Sequence, residues 1–132
     1  MAFLTNRDFG LLFLRLGLGI LFVIHGYPKL MGGPSQWAFL GSQMGHLGIN
    51  FLPTFWGFMA ACTEFFGGVF LIVGLFHRLA CFFLAFVMLV AMLFHFGKGE
   101  GLMGASHALE LMIVFLGFIF MGPGKYSVQG GA

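Results

Sequence analysis

Four stretches of continuous apolar sequence, residues 9–27, 53–76, 79–96 and 105–122, constrain this chain more than anything else in it. Each runs about 18 to 24 residues, against the roughly 20 that a helix needs to cross the hydrocarbon core of a bilayer. In lipid the backbone must satisfy its own hydrogen bonds, which leaves helices or closed barrels, and none of the four alternates as a barrel strand does. The expected fold is therefore all-α: an integral membrane four-helix bundle, one transmembrane domain over residues 1–132, with the lipid bilayer as its first partner. Composition agrees, with 60% hydrophobic and 8% charged residues and a mean hydropathy of +1.02. The net charge of +2 is scattered and forms no basic stripe, so no nucleic acid partner is expected. Arg7 before the first apolar stretch resembles a signal peptide, but the stretch is too long and no small-x-small cleavage site follows, so the first helix is expected to stay.

Helix 1 is expected over residues 8–27, stopped by Pro28. The connection that follows carries Trp37, Leu40, Met44 and Leu47 at spacings of three, four and three, opposite Gln36, Ser42 and Gln43. That pattern predicts a short interfacial helix between helices 1 and 2. Trp37 and Trp56 mark the same membrane surface. Helix 2 is expected to end at Phe76, and the turn at His77-Arg78 is short enough to make helices 2 and 3 antiparallel neighbours. Arg7, Arg78 and Lys125, with Arg15 near them, oppose Lys29 and Lys98, which puts both termini in the cytoplasm. Cys62 and Cys81 differ in depth by roughly 18 Å at 1.5 Å per residue, too far for a disulfide, and no Cys-x-x-Cys pair points to thiol chemistry.

Within the second apolar run stands Glu64. A carboxylate at membrane depth is costly unless it is paired, protonated or facing a cavity. Gly57, Ala60, Ala61, Gly67 and Gly68 fall within about 60° of it on a helix, a strip of small residues that lets other helices approach. Counted from the presumed cytoplasmic helix ends, Glu64 and Glu110 both come out at roughly 18 Å, Arg15 at roughly 10 Å, and His25, His95 and His107 at roughly 22 to 25 Å. His107 and Glu110 are three apart and share a face. An i, i+3 pair of this kind, joined by acids and histidines from other helices, is the composition of a metal centre in a helical bundle, with His95, His107 and Glu110 as ligands. It is equally the composition of a proton relay. Arg15 with Glu64 is either a structural ion pair fixing helix register or part of the site. His46 and His77 read as surface groups, and Lys29 and Glu100 as the rim of an outer opening or as solvated charges.

Leu14-Arg15-Leu16-Gly17-Leu18-Gly19, then Phe22 and His25-Gly26-Tyr27-Pro28-Lys29-Leu30, resembles the opening of the DoxX family. The likeness continues through Glu64-Phe65-Phe66-Gly67-Gly68, Gly74-Leu75 before His77-Arg78, and Gly122-Pro123-Gly124-Lys125-Tyr126-Ser127. What the resemblance implies is a small four-helix protein of the bacterial or archaeal inner membrane, labelled an oxidoreductase, in a family linked to thiosulfate oxidation with quinone reduction and to complexes that handle oxidative stress. The matching residues are Arg15, His25, Lys29 and Glu64. The chain has no haem-attachment motif and no nucleotide-binding glycine pattern. Redox chemistry here therefore calls for a quinone, a transition metal or a partner subunit. The expected site has Arg15, Glu64 and Glu110 as catalytic groups, with His25, Lys29 and His107 holding a cofactor. A homo-oligomer or a larger membrane complex is the expected assembly, and a scaffold subunit or a small-molecule or proton pathway are the other functions the residues allow.

Overall fold

The computed structural model describes residues 6–128. Its elements in order are α1 Arg7–Met31, α2 Pro34–Gly41, a 3-10 helix Ser42–Leu47, α3 Pro53–Val73, α4 His77–Gly97 and α5 Gly101–Met121. The four long helices α1, α3, α4 and α5 are each apolar enough to cross a membrane, and there is no strand among the described residues.

Local chemistry sets most of the boundaries. The Asn6 side chain accepts the Phe9 N–H at 3.0 Å and caps α1. Pro28 does not stop that helix, which runs on to Met31. A proline forfeits only its own backbone bond, and α1 tolerates the loss. The extra turn keeps Lys29 on the same helical face as Gly26, three residues before it. Pro53 opens α3, and Gly74, at φ 73°, ends it with its N–H on the Phe70 carbonyl at 2.8 Å. The α3–α4 turn therefore occupies residues 74–76, not His77-Arg78 as expected, and His77 becomes the first residue of α4.

The bundle is built from two tight helix pairs. Between α1 and α3 the backbones nearly touch: a Cβ on Gly19 would stand 2.7 Å from the Gly68 carbonyl oxygen, and one on Gly26 would stand 2.6 Å from the Phe65 nitrogen. The other pair is α4 with α5, and α3 with α4 joins the two. Leu11, Phe22, Leu71, Leu84, Met88, Phe115 and Phe118 form the core. No Cα of α1 comes within 8 Å of one in α5. Across that gap Phe22 and Phe115 meet edge to face, ring centres 5.3 Å apart.

Helix α2 lies across the start of α3, and the expected short helix is divided at Gly41 and Ser42 into α2 and the 3-10 helix. Gly57 sits against the Trp37 carbonyl and Gly41 against that of Pro53, leaving no room for a Cβ at either place. At the other end of the bundle the segment after α5 folds back beneath it. Fully buried Arg15 donates from Nη1 to the carbonyls of Pro123 at 3.3 Å and Tyr126 at 3.1 Å, and from Nη2 to Tyr126 at 2.8 Å. Lys125 N–H donates to the Asp8 carboxylate, and Val128 N–H to the Val73 carbonyl. Other elements also supply donors to the last turn of α5, Arg78 to Ile119 and Arg7 to Met121, where a helix has carbonyls left over.

Candidate functional site

Because Gly26 places α1 directly on the backbone of Glu64 and Phe65, the residue one turn beyond it arrives over the Glu64 side chain. That residue is Lys29, whose Nζ donates to both carboxylate oxygens, at 3.0 and 2.9 Å. Glu64 is 5% exposed. Trp37 donates its indole N–H to the Lys29 carbonyl at 3.1 Å, tying α2 to the same turn.

Two cavities meet at this ion pair. The larger, about 510 Å³, lies between α3 and α4 under the short helices and is lined by Phe55, Trp56, Phe83, Phe86 and Phe94 with Thr63 and Gln43. The smaller, about 260 Å³, is lined from all four long helices and includes His25 and His107. Lys29, Glu64, Ala91 and His95 belong to both walls. A short septum of one ion pair, one imidazole and one methyl group thus separates an aromatic chamber from a histidine-lined one. His95 Nδ1 also shares a hydrogen bond with a Glu100 oxygen, at 2.5 Å. Exposed Glu100 is held below the usual carboxylate range, chiefly by that bond, with Lys98 adding to it.

Of the expected site residues, the fold gathers Lys29, Glu64, His25, His95 and His107. It leaves out two. Arg15, expected to hold Glu64 ionised, is eleven residues from Gly26 along α1, about 16 Å at 1.5 Å per residue, and is spent on the segment after α5. Its misplacement has a plain cause: α1 overshoots the end of α3, so that Arg15 lies beside Gly74, and depths counted from helix ends were not comparable. Glu110 is exposed on α5 and lines neither cavity. Among the described residues no three His, Cys, Asp or Glu side chains come together closely enough to hold a metal ion. The expected set of His95, His107 and Glu110 therefore does not assemble, because α5 presents Glu110 away from the cavity that His107 lines.

Three further features were not expected. Lys29, expected to hold a cofactor or to rim an outer opening, is the ion-pair partner of Glu64, and its spacing from Gly26 is the signal that it shares the α3-facing side. Phe55 of α3 and Phe83, Phe86 and Phe94 of α4 line the larger cavity, which hydropathy alone does not signal. His77, read as a surface group, is fully buried, with Nε2 3.2 Å from the Phe118 carbonyl and its ring edge-on to Phe118. The Gly74 helix stop was the signal that His77 begins a helix.

The model of the DoxX family matches residues 10–97. An uncharacterised protein of Haemophilus influenzae is 32% identical over 129 residues, covering 93% of this chain and 90% of that protein. The inner membrane protein YqjF of Escherichia coli is 32% identical over 126 residues, covering 93% and 92%. No solved structure matches. The match takes in α1 with its Arg15 and Lys29, all of α3 with Glu64, and α4 to its end, so this multi-pass membrane protein belongs to the DoxX family.

Proposed function

We propose that the chain is a membrane subunit supporting quinone-linked electron transfer, with the larger cavity as the seat of the head group. The observation that carries this reading is the placement of one ion pair and one imidazole in the wall of a chamber otherwise lined, apart from Gln43 and Thr63, by apolar side chains. At about 510 Å³ it has the size and character of a small-molecule site, mostly apolar with a few convergent polar groups. A quinone bound here would supply the two-electron acceptor, and a partner subunit carrying a redox centre the electrons. Lys29 would hold a ring carbonyl oxygen through its Nζ–H and so orient the ring. Glu64 and His95 stand where protons are needed, and His25 and His107 in the smaller cavity pass protons toward them. The family resemblance, with its link to quinone reduction, supports the same reading. Both termini lie in the cytoplasm of a bacterium or archaeon, since Arg7, Arg78 and Lys125 gather at one end.

Trp56 lines the chamber, so quenching of its fluorescence by a soluble quinone analogue reports occupancy in purified protein. Lys29→Met is expected to weaken quenching by about 10-fold or more, the weight of one hydrogen bond from a charged donor. Absence of quenching by any quinone, together with no quinone extracted from protein purified in native lipid, overturns the reading. A scaffold role is favoured by a different observation, the backbone contact of Gly19 and Gly26 with α3, which the Lys29–Glu64 pair holds in register. Under it, Glu64→Gln lowers the yield of folded protein and leaves no ligand signal to lose. The shared wall of the two cavities favours a third, a proton or small-molecule path through the bundle, for which proton flux into liposomes is the measurement.

A further inference from the structure

Glu110 is exposed at the middle of α5, in a helix that crosses the membrane, and has no hydrogen bond or ion pair with any described residue. An ionisable group in that position normally faces protein and is paired. At 100° per residue, Met103, His107, Glu110, Val114 and Met121 fall within about 60° of one another, and all are exposed. The strip carries an acceptor and a donor one turn apart, Glu110 and His107, and it lies beside the open gap between α1 and α5.

We infer that this face of α5 is the contact between two copies of the chain, related by a two-fold axis along the membrane normal. Copies that share one membrane orientation pack α5 parallel to α5 at equal depth. Each Glu110 then faces the same residue across the axis, with the partner's His107 three residues, about 4.5 Å, further along. The strip is complementary to itself: the imidazole N–H of one copy donates to the carboxylate of the other, twice, which is what an isologous contact requires. Polar pairs of this kind are a recognised glue between helices in lipid. Because His107 also lines the smaller cavity, the second copy brings a carboxylate to the mouth of that cavity and covers part of the gap left between α1 and α5.

The test uses the full chain in its membrane, with Cys62→Ala to remove the half-exposed thiol. Val114→Cys lies on the strip, and Leu116→Cys, also exposed, lies about 160° away on the same helix. A short bis-maleimide should join two copies through position 114 and not through 116. Adding Glu110→Ala to Val114→Cys removes both symmetry-related hydrogen bonds and should cut dimer formation roughly tenfold, at about 0.6 kcal/mol for each, while size exclusion shows the protein still folded. Three results overturn the inference: equal cross-linking at both positions, a monomer mass in lipid nanodiscs for the unsubstituted chain, or cross-links only to a different protein. Should Glu110→Ala fail to fold, the comparison of 114 with 116 and the nanodisc mass decide without it.

Discussion

Arg15 is the side chain whose surroundings differ most from those its charge invites. A guanidinium in a membrane-spanning helix looks for a carboxylate, and this one finds backbone carbonyls of Pro123 and Tyr126, with no acceptor for Nε among the described residues. Arg15→Ala strands two carbonyls and is expected to cost about 2 to 4 kcal/mol. Arg15→Lys should not restore the loss, since one ammonium cannot reproduce a planar fork reaching two carbonyls. Limited proteolysis at Lys125 is the readout: rapid cleavage in both variants and slow cleavage in the parent. Glu100 supports a second prediction. Its carboxyl is held low by His95 in the folded chain, so whatever that contact contributes is whole above the unfolded value of about 4.3 and fades as pH falls through the lower folded value. Thermal midpoints of the parent and Glu100→Gln should differ at pH 7 and converge at strongly acid pH; because Glu100 is exposed, the difference is small. Glu64 itself was legible from sequence because one acid in an apolar run admits few explanations. Its partner was not, because choosing between Arg15 and Lys29 depends on how high one helix rides on another, which no local pattern encodes.

At the scale of elements, glycine decides which helices pair. Gly19, Gly26 and Gly68 bring α1 and α3 to backbone contact, whereas a Cβ added to Gly10 or Gly17 of α1 would meet nothing within 4 Å among the described residues. Gly26→Ala should destabilise by about 1 to 3 kcal/mol through overpacking against backbone that cannot yield. Gly17→Ala should be neutral or stabilise by up to about 1 kcal/mol, since alanine is the better helix former. Unfolding of the two variants in mixed detergent compares them directly, and equal effects would mean the close approach carries no weight. The strip of small residues around Glu64 announced that approach in the sequence. Pro28 misled, since a proline in lipid need not end a helix whose remaining bonds survive. Gly74 was the better marker, because a left-handed cap can be satisfied there and a side chain would resist it.

For the whole molecule, the number and identity of the spans followed from hydropathy alone, while their arrangement into two pairs with a gap between α1 and α5 did not, because a strip of small residues announces a close approach without naming the helix that makes it. Orientation in the membrane is open to direct measurement. With both termini cytoplasmic, Lys98→Cys should react with an impermeant maleimide on intact spheroplasts, and Lys125→Cys only after lysis; both side chains are exposed. The reverse pattern would invert the molecule. The clasp on Arg15 bears on how such a chain is made. Its acceptors lie 108 and 111 positions downstream, so a ribosome delivers the guanidinium to the bilayer long before it delivers anything for it to hold. Helix α1 must wait in the insertion machinery or in lipid with that group unsatisfied, and the bundle can lock around Arg15 only after Pro123 and Tyr126 have emerged, which makes synthesis of the segment beyond α5 the trigger for that step.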